Sequence, residues 1–229
     1  PLAMADQAFI FKRTVRETAL KHNMYATFMA KPMQREPGSA LHLHQSVLDA
    51  KTGRNIFSDD AGNPTAEMMH YIGGLQRYTP EPISLYAPNV NSYRRLAPDI
   101  SAPINLSWGF DNRTTAFRVP NSTADNLRIE NRFPGADANP YLAIAATLAS
   151  GLLGMRQKLQ PTEPHRGTAN DEDVAVARTL EEGVRQLNDT PELQQMIGEL
   201  FMRAYAAIKL DEFEEFNPSP AWPSQPPES

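Results

Sequence analysis

The order in which period-two and helix-period segments follow one another constrains this chain most. Its middle, from Ser84 to Phe133, carries strand-like patches broken by proline. These are Asn105-Leu-Ser-Trp108, Thr115-Ala-Phe-Arg-Val119 and Leu127-Arg-Ile-Glu-Asn-Arg-Phe133. Upstream, Leu41-His-Leu-His-Gln-Ser-Val47 alternates apolar and polar, and Tyr25-Ala-Thr-Phe-Met29 reads as a short buried strand. The C-terminal half reads as helix. Asn139-Pro140 is an N-cap followed by proline at the first helical position, and the apolar run after it predicts a helix to about residue 159. Further helices are predicted over 171–187 and 191–210, and two earlier ones over 5–22, with a stripe at Ala8, Phe11, Val15 and Ala19, and 65–78. Strands followed by helices predict an α+β fold over residues 1–216, a mainly antiparallel sheet backed by helices. The tail 217–229 holds five prolines and is expected to be extended or disordered.

Composition removes whole classes of function. With no cysteine there is no disulfide framework, thiolate zinc site, iron–sulfur cluster or cysteine nucleophile. A net charge of −5 over 229 residues argues against nucleic acid. The longest apolar stretch, from Tyr141 to Met155, is interrupted by Gly, Ser and Thr and is too short and polar to span a bilayer. Neither a glycine-rich phosphate loop nor a Gly-x-Ser-x-Gly elbow occurs. No charged-then-apolar leader follows Pro1, so the chain reads as a cytoplasmic protein, and as a piece of a longer one.

The arginines are unevenly placed. Six fall between Arg94 and Arg132 (94, 95, 113, 118, 128 and 132), with no lysine among them and four acids nearby. Surface ion pairs are the plainer reading of any single one. Six together on strand-like segments favour a pocket for an acidic or phosphorylated ligand, because a planar guanidinium binds carboxylates and phosphates bidentately. In Arg128-Ile-Glu130-Asn-Arg132, strand alternation puts Arg128, Glu130 and Arg132 on one face. That is either a salt-bridge ladder or a metal-binding carboxylate between two anion-binding arginines. His42-Leu-His44 likewise puts two imidazoles on one face. A site holding His42 and Glu130 would suit Mg²⁺ or Mn²⁺ with nucleotide phosphates.

The segment Lys31-Pro-Met through Gly38-Ser-Ala-Leu-His42-Leu-His44-Gln-Ser46 resembles the ATP-binding signature of the glutamine synthetase family. Three further blocks match the family in order: Asn91-Ser-Tyr-Arg-Arg95, Asn112-Arg113-Thr-Thr-Ala-Phe-Arg118-Val-Pro120, and Arg128-Ile-Glu130-Asn-Arg132-Phe-Pro134 leading into Ala138-Asn-Pro-Tyr141. The resemblance implies a curved sheet with helices behind it. It implies that His42 and Glu130 are ligands of a divalent metal, Mg²⁺ or Mn²⁺, that orients the nucleotide. It assigns Gly38, Arg95, Arg113 and Arg132 to L-glutamate, and His44, Ser46, Arg113, Arg118 and Arg128 to ATP, with Arg113 catalytic at the transferring phosphate. The implied reaction phosphorylates the glutamate γ-carboxylate, and an amine then attacks the acyl phosphate. The implied assembly is a hexamer or dodecamer.

The departures are specific. Ammonia-using members have Tyr-Glu-Ala-Pro where this chain has Ile100-Ser101-Ala102-Pro103, and Asn-Gly where it has Pro37-Gly38. No counterpart of the adenylylated tyrosine of bacterial enzymes is visible in 161–173. The segment Ser107-Trp108-Gly-Phe-Asp-Asn112 resembles the branch that joins glutamate to organic amines, the γ-glutamylpolyamine and γ-glutamylmonoamine synthetases. A small mono- or polyamine is therefore the expected acceptor. An ammonia-using synthetase and a non-catalytic sensing homologue are the alternatives. The family's other metal carboxylates lie outside this chain, so the chain alone is expected to be inactive.

Overall fold

A computed structural model describes residues 1–97, 102–170, 173–187 and 189–216. In chain order the helices and strands are α1 (Leu2–Lys21), β1 (Leu43–Gln45), α2 (Ala66–Tyr78), α3 (Ile83–Tyr86), β2 (Trp108–Phe110), β3 (Phe117–Val119), β4 (Ile129–Asn131), α4 (Pro140–Gln157), α5 (Leu180–Gln186), α6 (Pro191–Ile197) and α7 (Glu199–Phe216). The strands form one sheet in the order β1-β4-β3-β2. The β1–β4 and β4–β3 pairs are antiparallel and β3–β2 is parallel, so the sheet is mainly antiparallel and the fold α+β, as expected.

Alternation sorts the sheet's two faces. Ile129, Asn131, Phe117 and Trp108 are buried and face the helices. Asn131 Nδ2 donates to Thr147 Oγ1 on α4, and the Tyr71 hydroxyl on α2 donates to Gln45 on β1, so polar residues on this face find partners in the helical layer. Helices α2 and α4 meet where glycines allow it: a Cβ on Gly74 would lie 2.3 Å from the Ser150 carbonyl oxygen, and one on Gly154 would lie 2.3 Å from that of His70. The core is closed by edge-to-face pairs, Phe57 with Tyr71 and Phe117 with Phe133.

Local chemistry explains the helix ends. Thr65 Oγ1 accepts from the Met68 amide at the start of α2, and Asn139 Oδ1 accepts from Tyr141 and Leu142 at the start of α4. Helix α4 stops at Lys158, in the left-handed region at φ 53°. The helix expected over 171–187 is realised only as α5, capped by Thr179; residues 171 and 172 lie outside the described set. The helix expected over 191–210 is cut in two at Gly198, whose φ of 116° cannot continue it.

One expected strand is not formed and another is shortened. Tyr25–Met29 is in no strand and pairs with none among the described residues, and Tyr25 is 94% exposed. Strand propensity without a neighbouring edge makes no ladder. Asn105 to Ser107 stays outside β2: Asn105 Oδ1 takes both the amide and the hydroxyl of Ser107, and only the Ser107 carbonyl reaches across, accepting from Ala116 and Phe117. Helix α1 forms as expected, but its stripe is shallow: only Ala5 is buried, and Phe11 is 61% exposed. Among the described residues no helix is long and apolar enough to cross a membrane. The proline-rich tail and Ser101 lie outside them.

Candidate functional site

The site stands on the sheet face opposite the helices. Register places His44 of β1 and Arg118 of β3 directly across from Glu130 of β4, so a base, an acid and a guanidinium form one row over three strands. His42, two residues before His44, projects on the same face and reaches the same carboxylate diagonally. Its Nδ1 lies 2.9 Å from Glu130 Oε1. Arg132 Nη1 donates to that oxygen at 3.0 Å, and Arg118 Nη1 donates to Oε2 at 2.8 Å. Glu130 is 2% exposed. Burial on its own would raise its carboxyl, but the hydrogen bonds from His42 and Arg118 and the charge of Arg132 hold it well below the ordinary carboxylate range. Both of its oxygens are held by ring or guanidinium donors, with lone pairs left over for a further partner.

The other predicted arginines divide into three settings. Arg128 donates from Nε to His44 Nδ1 at 3.2 Å and from Nη1 to the Asn126 carbonyl at 3.1 Å. His44 thus accepts at Nδ1. Burial lowers its pKa, Glu130 opposes this, and Arg128 reinforces it. Ser46 follows, exposed, just beyond the end of β1. Arg113 stands apart from the Glu130 cluster, exposed on the turn between β2 and β3, where it lines a cavity of about 590 Å³ with Phe110, Asp111 and residues 164–167. Arg94 is exposed and turned away from its neighbour Arg95.

Arg95 lies beneath the face, 3% exposed. Its Nη1 and Nη2 donate to the carbonyls of Phe133 and Arg132, at 2.7 and 2.9 Å. Burial lowers its pKa to about 10, against the attraction of Asp137. As the molecule stands, Arg95 pins the backbone that follows β4. Gly38 packs on it: a Cβ there would meet the Ala30 carbonyl oxygen at 2.7 Å and the Arg95 side chain at 3.0 Å.

Three residues that sequence reasoning passed over join these pieces. Asp111, left-handed at φ 46°, takes a hydrogen bond from Arg118 and another from Asn121 at 3.2 Å. Aspartate tolerates the left-handed region, so it can carry the turn that leaves β2. Asn91 exchanges two hydrogen bonds with the backbone of Lys31, at 2.9 and 2.8 Å. Asp137 Oδ2 accepts from Asn89 at 2.9 Å and Ser92 at 2.6 Å. The last two stitch separate sequence blocks into one wall. Their signal in the sequence was only that they sit within or beside the blocks.

Chemically, the face offers one imidazole nitrogen and one carboxylate to a cation, and several guanidiniums to anions. Among the described residues no group of three or more His, Cys, Asp or Glu could hold a metal ion. His42 and Glu130 are a two-donor set with the right chemistry for Mg²⁺ or Mn²⁺, leaving the other positions to water, phosphate or further carboxylates. The buried Nε of Arg118 and of Arg132 have no partner, a cost that points to a face arranged for binding and not for stability.

A family model for the glutamine synthetase catalytic domain matches residues 1–222. The chain is 38% identical over 216 residues to the gamma-glutamylputrescine synthetase of Escherichia coli (strain K12), covering 94% of this chain and 46% of that protein. It is 44% identical over 161 residues to the glutamine synthetase of Pyrococcus abyssi (strain GE5 / Orsay), covering 70% of this chain and 36% of that protein. The chain thus spans half or less of the length of these relatives. Among solved structures, apo GmaS without ligand superimposes with a TM-score of 0.85 at 29% identity, over 96% of this chain and 52% of that one.

Proposed function

Since the chain belongs to the glutamine synthetase family by its catalytic domain, we propose that the protein built on it is an ATP-dependent ligase joining L-glutamate to a small organic amine. The observation that carries this is the buried Glu130 carboxylate, 2.9 Å from His42 Nδ1 and held by Arg118 and Arg132. In the proposed reaction a γ-carboxylate oxygen of glutamate attacks the terminal phosphorus of ATP and ADP leaves. The amine nitrogen then attacks the acyl carbon, phosphate leaves and the nitrogen loses a proton. His42 and Glu130 hold the divalent cation, Mg²⁺ or Mn²⁺, which when bound supplies positive charge to the phosphate oxygens. Arg118 and Arg132 keep Glu130 ionised and aimed. Arg128, His44 and Ser46 border the nucleotide. Gly38, Arg95 and Arg132 form the glutamate end, with Arg95 fixing the backbone there. Arg113 meets the transferring phosphate, where a guanidinium offsets charge spread over equatorial oxygens.

The amine acceptor rests on Ser101, where ammonia-using members carry glutamate, and on the likeness to the gamma-glutamylputrescine synthetase of Escherichia coli. A serine gives no fixed negative charge to hold ammonium. An alkyl amine gains about 0.8 kcal/mol per buried methylene instead. The Pyrococcus relative supports a second reading, an ammonia-using synthetase. The test is phosphate release by the intact protein with ATP and glutamate, comparing ammonia, alkyl monoamines and diamines. Amine-dependent release well above that with ammonia is expected, with Ser101→Glu shifting the balance toward ammonia. Preference for ammonia in the unsubstituted protein overturns the acceptor reading, and no release with any acceptor overturns the ligase reading.

A further inference from the structure

We infer that Arg166 is a second phosphate-binding guanidinium beside Arg113, brought there by the irregular segment 159–170; this rests on the ligase reading above. The segment follows α4 and has no helix or strand of its own, yet it is fastened along the β2–β3 region at successive points. Trp108 Nε1 donates to the Thr162 carbonyl at 2.7 Å, and the His165 amide donates to the Trp108 carbonyl at 2.7 Å. Asn112 Nδ2 donates to the Gly167 carbonyl at 2.8 Å, and the Ala169 amide donates to Thr114 Oγ1 at 2.9 Å. Farther out, Gln76 on α2 exchanges two hydrogen bonds with Thr162, at 2.9 and 3.0 Å. Asn112 and Thr114 flank Arg113, so the same contacts that seat the segment also hold the turn carrying Arg113. A loop tied this way can place a side chain as well as a strand can.

Between turn and segment lies the cavity of about 590 Å³, with Arg113 on one side and Arg166 on the other. Among the described residues Asp111 is the one acid in its lining, and both of its oxygens are engaged, one by Arg118 and the other by Asn121. Neither Arg113 nor Arg166 is committed to an acid among the described residues, and both are exposed. Two uncommitted guanidiniums across one cavity suit a tetrahedral, multiply charged oxyanion, whose oxygens each fork can take in pairs. The ligand is therefore a phosphate group, with two sources: the terminal phosphate of the nucleotide, or the free phosphate released by ligation.

The experiment is calorimetric titration of the intact protein with Mg²⁺-ATP and, separately, with inorganic phosphate, in the unsubstituted protein, Arg166→Ala, Arg166→Lys and the distant control Arg178→Ala. Arg166→Ala is expected to weaken binding about tenfold or more, as loss of a charge-assisted hydrogen bond does. Arg166→Lys should lie between, since it keeps charge but not the fork, and Arg178→Ala should bind normally. Weakening confined to ATP assigns the subsite to the nucleotide, and weakening toward phosphate assigns it to the product. Unchanged binding of both ligands in Arg166→Ala overturns the inference and leaves the ligase reading standing, because ATP still binds. No binding of ATP or phosphate by the unsubstituted protein overturns both. Should Arg166→Ala lower the melting temperature sharply, Arg166→Lys decides alone: unaltered affinity there overturns the inference.

Discussion

Glu130 receives hydrogen bonds from residues that come from three places in the chain, and each of them alone would be ordinary. Its side chain is 3% exposed, with Arg132 at 9% and Arg118 at 15%. Removing the carboxylate leaves two guanidiniums desolvated without their shared counter-charge. Breaking a buried pair from one side costs about 3–5 kcal/mol. Glu130→Ala is therefore expected to lower the unfolding free energy measured by urea titration by an amount in that range, and a change below about 1 kcal/mol would show that solvent reaches the cluster. Much of this cluster was legible. Alternation alone put Arg128, Glu130 and Arg132 on one face, and His42 with His44 on another. What alternation could not give was register, which depends on turns and packing far from the strand. Hence the partners were not readable: that Arg128 goes to His44, that Arg118 has Asp111 as its second acid, and that Arg95 leaves the cleft to hold backbone carbonyls.

At the scale of elements, the strands are three residues long although the patterns that announced them ran to seven. Side-chain competition trimmed one end, as at Asn105, and a 3₁₀ turn at Ala124–Asn126 trimmed another. Helix existence was easier to read than helix length, because caps such as Asn139 and Thr65 act within three residues while breaks such as Gly198 depend on tertiary fit. The excursion 49–64 shows local chemistry setting an element without a core. Asp49 accepts from the amides of Thr52 and Lys51 and from the Thr52 hydroxyl, and Asp59 accepts from the amides of Asn63 and Ala61 and from the Asn63 side chain. These bonds, led by the Thr52 amide at Asp49 and the Asn63 amide at Asp59, lower both carboxyl pKa values. A group depressed in the folded state contributes order that is fully present above its unfolded pKa, about 3.9, and is lost as pH falls below it. Amide exchange at Thr52 and Asn63 is expected to accelerate, beyond its intrinsic pH dependence, as pH is lowered through 4 to 3, while amides of α4 stay protected. Equal loss in both places would mean global unfolding.

For the molecule as a whole, the exposed apolar residues of α1 are the feature most at odds with a finished surface. Leu2, Met4, Phe9, Ile10, Phe11 and Leu20 are all more than half exposed. Apolar surface left exposed in this amount on one helix favours association. Light scattering on this 229-residue chain is expected to show concentration-dependent self-association, and Ile10→Glu with Leu20→Glu is expected to reduce it without shifting the melting temperature. Unchanged scattering would place the sticky surface elsewhere. The order of the sheet has a temporal consequence. Strand β4 lies between β1, more than eighty residues earlier, and β3, about ten residues earlier. The β3–β4 hairpin can close quickly, but the partnership with β1 closes a long loop and is slow for entropic reasons. On the ribosome, Arg118 and Glu130 can meet early, whereas His42 must wait for the long closure. Within the sheet, the contact between Arg118 and Glu130 thus forms ahead of the one between His42 and Glu130.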